Sequence, residues 1–465
     1  MATPPRNILL VVTVGGFTRA APVLELGQVL STRGDEISFA TLSGQESWAK
    51  AYPFITHTHI LGSALTMTQL DAHYKRSLSW DSSKGISNVM DSKYMFDSFW
   101  TETYHSLSSI CQDPKTKLDM IIADFFVDAA KDMHIQYQIP LAVVWPQMPY
   151  LMAKPDYLVL VNSFWGLETP KDLPPLVAAV GPILVDEYPP LDSTYNNFFA
   201  THDKVIYIAL GSHIILPRSS ATKIIQGLCQ ALDQRLINGA IWAVSESACQ
   251  EFDLNLPITI HGRQINFGYL IPSGHPDFYF PTFAPQRAIL EHPHTKIYLT
   301  HGGGSSVNEG LFHGKPMIAM GFYFDQICNT ARLVAGGSAE SLHKTTFTPD
   351  ELCEKIKIIS EDKGGTFAKN CERLKRIANV ASRRKSLAAD LVEELIYDTE
   401  SRFEEGKELR PMHLQTADMR MPFYKARNWD LMTFTFLGTG AFAGTMALGE
   451  DDLGSQILLT TTIIP

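Results

Sequence analysis

Three stretches of this chain share a form that few folds can accommodate: a run of β-branched and aliphatic residues that stops at glycine. They are NILLVVTVGG from Asn7, KVIYIALGS from Lys204 and KIYLTHGGG from Lys296. Their apolar residues are consecutive rather than alternating, so both faces of each strand must be covered, as in a parallel sheet between helices. In such α/β sheets the loop after the first strand opens into the ligand crevice. The glycine-stopped runs therefore mark where chemistry can sit.

The pattern between them supports two α/β halves in tandem. After Ile8–Val14 the sequence predicts a helix from near Pro22 to Gly34, then a second strand. MIIADFFVDAA and IPLAVVWPQ read as strands, with AAKDMHIQYQ helical between them. The stretch AVGPILVDEYPPLDSTYNN is rich in proline and polar residues and reads as a linker. A second cycle follows, with KVIYIALGSHI a strand, SATKIIQGLCQALDQRL a helix and GAIWAVS a strand. At 465 residues the chain exceeds one ordinary core. The expected division is a first domain over 1–183, a linker over 184–203, a second domain over 204–384, a helix and charged linker over 385–424, and a tail over 425–465.

The formal net charge of −10 argues against a nucleic-acid partner. Cys111, Cys229, Cys249, Cys328, Cys353 and Cys371 show no CxxC spacing, which indicates neither a zinc site nor a disulfide framework and fits a reducing compartment. The first apolar run continues into the βαβ unit without a small-residue cleavage site, and the chain has no Asn-x-Ser/Thr acceptor. A cytoplasmic body is expected. In the tail, LMTFTFLGTGAFAGTMALG over 431–449 carries no charge and as a helix would extend about 28 Å, near the hydrocarbon thickness of a bilayer. Lys425 and Arg427 precede it, and Glu450, Asp451 and Asp452 follow. It is a candidate transmembrane helix that would tail-anchor the body to an intracellular membrane from the cytoplasmic side.

The chemistry concentrates in FAPQRAILEHPHTKIYLTHGGGSSVNEGLFHGKPMIAMGFYFDQICNTARL, from Phe283 to Leu333. A strand over Lys296–Thr300 leads to His301, three glycines, two serines and a helix expected from Val307. A glycine loop at a helix N-terminus brings backbone N–H groups and the helix dipole onto an anion. It suits a diphosphate, with His301 adding a donor and Ser306 a hydroxyl. Ser306-x-x-Glu309 also fits a capping box, in which the two side chains would satisfy only backbone donors; the other reading places the Glu309 carboxylate at ribose hydroxyls. Asp325 and Gln326, at the mouth of the next strand, can bind several hydroxyls of a sugar or form a surface turn.

Taken in order, aromatic-x-Pro-Gln, His-x-Gly, Ser-x-x-Glu, Gly-x-Pro and Asp-Gln, this segment resembles the donor-binding signature of UDP-glycosyltransferases, inverting enzymes of the GT-B fold. The likeness runs from residue 8 to about 396 and is nearest in kind to fungal small-molecule glucosyltransferases. It implies an α/β fold of two Rossmann-like domains facing a cleft, and transfer of a hexose, with glucose expected, from a UDP-sugar to a small lipophilic acceptor. It further implies that Phe283 stacks on uracil while the backbone near Gln286 reads its edge. Gly211, Ser212, His301, Gly303 and Ser306 would line the diphosphate, Glu309 the ribose, and Asp325 with Gln326 the sugar. Phe283 stands where plant members have tryptophan, and Gly304-Ser305 where they have Trp-Asn. The UDP-sugar is a co-substrate; no cofactor is implied, and no metal is expected because no Asp-x-Asp pair is present.

The first loop departs from the family. Members carry a histidine three residues before its proline, where it takes the acceptor's proton, and an aspartate that orients it. Counting back from Pro22 gives Arg19, and the matching aspartate is Asp124. Arginine is always protonated and cannot act as a base, and losing a general base typically costs 10²- to 10⁴-fold in rate. Three readings stay open. The acceptor is an acid held by Arg19; Asp124 or another group takes the proton directly; or the chain is a catalytically impaired relative that binds sugar nucleotides alone or with a partner protein. A structural Arg19–Asp124 ion pair is compatible with the last two. Aromatic and methionine residues crowd 94–100 and 145–165, which suits a phenolic, polyketide, terpenoid or carboxylic-acid acceptor. A dinucleotide oxidoreductase fits less well, since the first loop lacks GxGxxG.

Overall fold

The computed structural model describes residues 5–78, 80, 85, 87–147, 155–211, 214–270, 275–402, 414 and 416–437. They fall into two compact units, Met1–Leu409 and Arg410–Pro465. The first unit contains two parallel sheets. In one, β1 (Asn7–Val11), β2 (Glu36–Thr41), β3 (Ile55–Ile60), β4 (Met120–Asp124), β5 (Leu141–Trp145), β6 (Leu158–Val161) and β7 (Val177–Ala179) lie in the order β3-β2-β1-β4-β5-β6-β7. In the other, β8 (Val205–Ala209) and β9 (Gly239–Ala243) precede a separate antiparallel hairpin of β10 (Pro257–Ile260) and β11 (Arg263–Asn266). With β12 (Phe278–Tyr279), β13 (Thr295–Thr300), β14 (Met317–Ala319) and β15 (Ala339–Ser341) the second sheet runs β12-β9-β8-β13-β14-β15.

The consecutive apolar runs are buried on both faces, as their composition requires: Ile8–Val12, Val205–Ile208 and Ile297–Leu299 have no more than 1% of their surface exposed. Each strand order reverses direction once, between β1 and β4 and between β8 and β13. At such a switch point the loops leaving the two central strands diverge and open a crevice at the strands' carboxyl ends. The first crevice brings the Gly15–Arg19 loop beside Asp124. The second brings Gly211 beside His301.

Several local expectations are corrected. The first helix is Phe17–Thr32, so it starts before Pro22 and encloses it. Proline has no N–H for the carbonyl four residues back, and that carbonyl, Thr18 O, instead accepts from Ser305 Oγ at 3.1 Å. The helix after the third run is Gly304–Phe312, not one starting at Val307. Gly303 is its N-cap, with no side-chain cap. Ser306 lies inside the first turn and no capping box forms. The stretch 184–203 contains the helix Ser193–Thr201, capped by Asp192, whose Tyr195 and Phe199 enter the second sheet's core.

The helix Lys385–Arg402 returns to the first sheet. Its Ala388, Ala389, Val392, Leu395 and Ile396 pack with Ile8, Leu10, Val23 and Leu30, and Lys385 Nζ meets the buried Glu25 Oε2 at 2.9 Å and Asp186 Oδ2 at 2.7 Å. In the second unit a short helix, Phe423–Ala426, is followed by helical residues 429–437 with Trp429, Leu431, Phe434 and Phe436 exposed. The rest of the candidate span 431–449 lies outside the described residues. Among the described residues no helix is long and apolar enough to cross a membrane, so the expected transmembrane helix has no support in the described structure.

Candidate active site

The second crevice is built around His301. Its ring packs so closely that a Cβ on Gly211, at φ +83°, would lie 2.9 Å from Cε1 and Nε2, and a Cβ on Gly303 would collide with it as well. Glycine at both positions is what lets an imidazole stand beside the start of the Gly304–Phe312 helix. That N-terminus presents the amides of its first turn, which have no partner four residues back. Asn329 Nδ2 donates to Gly302 O at 3.0 Å, fixing the loop from below. Ser212 lies outside the described residues.

Gln286 and Glu309 are brought together rather than left at opposite ends of a motif. Gln286 Nε2 donates to Glu309 Oε2 at 2.7 Å, while Gln286 Oε1 accepts from Tyr207 at 3.3 Å and from Tyr298 at 3.2 Å. The two tyrosine rings stack at 5.4 Å. Ser306 hydrogen-bonds Tyr298, so this hydroxyl is tied into the same cluster. Burial pushes the Glu309 carboxyl above its ordinary range, opposed by the Gln286 bond and the Arg287 charge. Phe283 is 82% exposed, and its carbonyl is held by Tyr195 Oη at 3.2 Å. An anchored backbone bearing an open aromatic face is a stacking platform.

Asp325 opens the helix Asp325–Ala335 behind Phe324, whose φ of 50° is a strained value for a residue with a side chain. Burial raises its pKa, against the Arg19 charge and the N–H of Gly304, which donates to the carboxylate. Gln326 points back into the protein: its Oε1 accepts from the Phe322 and Tyr323 amides at 3.1 and 3.4 Å. The Gln326 side chain also hydrogen-bonds the Tyr323 hydroxyl. The Gly-x-Pro block lies at the opposite end of the sheet, before β14. There the buried Lys315, its pKa lowered by burial to about 8, donates to His292 O and Thr295 O at 2.9 Å each.

At the first crevice Arg19 and Asp124 do meet, loosely. Arg19 Nη1 stands 4.0 Å from Asp124 Oδ2, beyond hydrogen-bond length. Nη1 is buried and makes no hydrogen bond among the described residues. The guanidinium lies 4.7 Å from the Phe126 ring centre, and its stem folds back over Gly15, where a Cβ would stand 2.5 Å from Arg19 Cγ. Asp124 is 2% exposed and Oδ1 accepts from the Phe126 amide at 3.2 Å. Burial raises its pKa, and Arg19 opposes the shift. Phe96 packs on Phe126 at 4.2 Å and Trp145 on Phe125 at 4.5 Å, giving this corner an aromatic wall. Other aromatics of the expected acceptor stretches, Phe99 and Phe164, are core, and 148–154 lie outside the described residues.

Sequence reading missed the ties between the two halves. Arg332 Nη2 meets Glu168 Oε2 at 3.1 Å, the Glu168 side chain 2% and the Arg332 side chain 9% exposed, and Arg332 Nη1 reaches Asn329 Oδ1 at 3.0 Å. Asn308 Nδ2 donates to Asn162 O at 2.9 Å. The signal was present: Asp325, Asn329 and Arg332 follow one another at helical spacing and share a face. Tyr74, on the helix Met67–Leu78, was missed too. It packs against the second half's core, and its charge coupling reaches Arg19 and Tyr323.

Residues 115–381 match the family described as "UDP-glucoronosyl and UDP-glucosyl transferase". UDP-glycosyltransferase FPY2 of Fusarium mangiferae is 36% identical across 95% of this chain and 97% of its own. A UDP-glycosyltransferase of Talaromyces amestolkiae is 38% identical across 92% and 94%. Among solved structures, the glycotransferase of kitacinnamycin superposes with a TM-score of 0.60 at 17% identity, over 84% of this chain and all of that one. A Polygonum tinctorium UDP-glucosyltransferase capable of glucosylating indoxyl does so with the same score at 18% identity. These structures share the GT-B arrangement of two parallel-sheet halves. The chain therefore belongs to the UDP-glycosyltransferase family.

Proposed function

We propose that this enzyme transfers a hexose, with glucose the expected sugar, from its UDP conjugate to a small lipophilic acceptor, with inversion at the anomeric carbon. The observation that carries the donor half is the coupling of Gln286 to Glu309 beside the His301–Gly303 loop. In this reading the Glu309 carboxylate receives the ribose hydroxyls, the first-turn amides of Gly304–Phe312 with His301 receive the diphosphate, and Phe283 stacks on the uracil. Asp325 and the Gln326 amide hold the sugar hydroxyls. The helix N-terminus and His301 stabilise the departing UDP by placing donors where its charge develops. No metal is invoked.

A catalytically impaired, sugar-nucleotide-binding protein is the second reading, and Arg19 in the place of a base is the observation that favours it. Two measurements separate them. A ligand that binds only the native state stabilises it by RT ln(1 + [L]/Kd), so millimolar UDP raises Tm in both readings, and absence of a shift in folded protein refutes both. Incubation with UDP-glucose and a panel of phenols, alcohols and carboxylic acids then yields a product of hexose-added mass in the first reading and none in the second.

A further inference from the structure

Arg19 lies where charges of the two halves act on one another. Asp124 of the first half and Asp325 of the second both carry its charge among their perturbing groups, and Thr18, its neighbour, is bonded to Ser305 in the first turn of the Gly304–Phe312 helix. Arg332, the other cation that acts on Asp325, is committed to Glu168 and Asn329. Arg19 is not committed in this way. Its 4.0 Å separation from Asp124 is an electrostatic contact without a hydrogen bond, and Nη1 keeps an unused donor. Asp124 is 2% exposed and held by the Phe126 amide, whereas Arg19 keeps 20% of its side chain exposed.

We propose that Arg19 selects an acidic acceptor: a lipophilic molecule bearing an O–H already ionised at neutral pH, whose anionic oxygen sits on the Arg19 guanidinium while its apolar body lies along Phe96 and Phe126. This rests on the UDP-sugar reading of the second crevice. Two physical arguments support it. The corner otherwise holds Asp124, Asp325 and the donor's diphosphate, with Arg332 already committed to Glu168, so an approaching anion meets mostly like charge; one guanidinium with an unused donor offsets that repulsion locally and binds carboxylate or phenolate through charge-assisted hydrogen bonds. The second argument is the proton count. When an anionic oxygen attacks the anomeric carbon, the new C–O bond forms from its own electron pair, and the C–O bond to the phosphate breaks with its pair passing to UDP. No proton leaves the acceptor in the step. A base is therefore not required, and the position that holds histidine in relatives is available to a cation. A neutral alcohol would need a base that arginine cannot be.

Carboxylic acids and acidic phenols or enols share this chemistry, and the test distinguishes them. Full-length protein with UDP-glucose is assayed on cinnamic acid against cinnamyl alcohol and on 4-nitrophenol against 4-nitrobenzyl alcohol. The acid member of a pair is expected to exceed the alcohol in kcat/KM by about 100-fold or more, the range a missing base costs. Arg19→Gln is expected to raise KM for the acid about tenfold or more, with kcat less affected, and Arg19→Lys to restore part of it; the UDP melting shift, retained in each variant, reports an intact fold. Hydroxylamine cleaves the product if the acceptor is a carboxylic acid and spares it if a phenol. Equal turnover of acid and alcohol by the unsubstituted enzyme, or an acid KM indifferent to Arg19→Gln, overturns the proposal. Binding of UDP without turnover of any member overturns it while leaving the donor site in place, whereas failure to bind UDP refutes the donor reading itself.

Discussion

The two switch points of this molecule are built alike and filled differently. Each lies between two adjacent parallel strands whose loops diverge, β1 with β4 and β8 with β13. At the second, the polar groups are tied to one another: Gln286 to Glu309, Tyr207 and Tyr298, and Asn329 to the Gly302 carbonyl. At the first, a buried carboxylate and a guanidinium stand 4.0 Å apart with a donor unused. The difference teaches which half is pre-organised. The second presents a finished surface, whereas the first holds charge in reserve.

The comparison can be broken most severely at Gly303. Alanine there drives a Cβ into the His301 ring and crowds the helix N-terminus. Loss of two charged hydrogen bonds at about 1.5–3 kcal/mol each corresponds to a 100-fold or greater rise in the UDP Kd by calorimetry. Glu309→Ala is expected to cost less, about 10- to 100-fold, because one carboxylate contact is lost and the Gln286 amide is orphaned. Either variant binding UDP as the original does would show that the finished surface is not the nucleotide site.

A third test sharpens the electrostatics. In the proposed donor reading, ribose hydroxyls donate more strongly to an ionised Glu309 than to a protonated one, so binding favours the deprotonated carboxyl. Its pKa in the free protein is raised by burial, hence UDP affinity falls as pH drops through that raised value, by up to about tenfold per pH unit, and is level above it. Glu309→Gln removes this component, and the difference between the two pH curves isolates it from the titration of UDP itself. The smallest effect is expected at Pro22. Pro22→Ala supplies the N–H that Thr18 O lacks, adding about 1 kcal/mol of hydrogen bonding against a similar gain in unfolded-chain entropy. Tm then moves by no more than about 2 °C, while Ser305 loses its partner and acceptor KM rises about two- to fivefold. An unchanged KM would mean that the Thr18–Ser305 bond carries nothing between the crevices.

The centres of the two sheets were readable because β1, β8 and β13 are buried on both faces, which leaves an unbroken apolar run in the chain, and because glycine follows each of these three at the crevice. The site residues were readable where backbone geometry demands a residue type, as at Gly211 and Gly303 against His301. What sequence reasoning misread was local competition. Ser306-x-x-Glu309 has the spacing of a capping box, yet Gly303 caps the helix and Glu309 turns to Gln286 instead, a partner twenty-three residues away. Pro22 has the look of a helix start, but a carbonyl left without its amide can be satisfied from another part of the fold. The Arg332–Glu168 pair joins elements separated by 164 residues, and no local pattern records which acid an arginine will find.

The return of the helix Lys385–Arg402 to the first sheet bears on how such a chain is made. The apolar surface formed by Ile8, Leu10, Val23 and Leu30 receives part of its cover, and Glu25 its cation, from residues synthesised after the entire second half. Chains emerge from the ribosome N-terminus first, at about 5–20 residues per second. For roughly the time taken to translate the second half, about 10 to 40 seconds at those rates, the first half exists with an open apolar face and a buried-to-be carboxylate without its partner. It is a sequential fold whose first half is closed by a late element, and a piece of the chain ending before Lys385 would keep permanently the exposed face that the longer chain has only in passing.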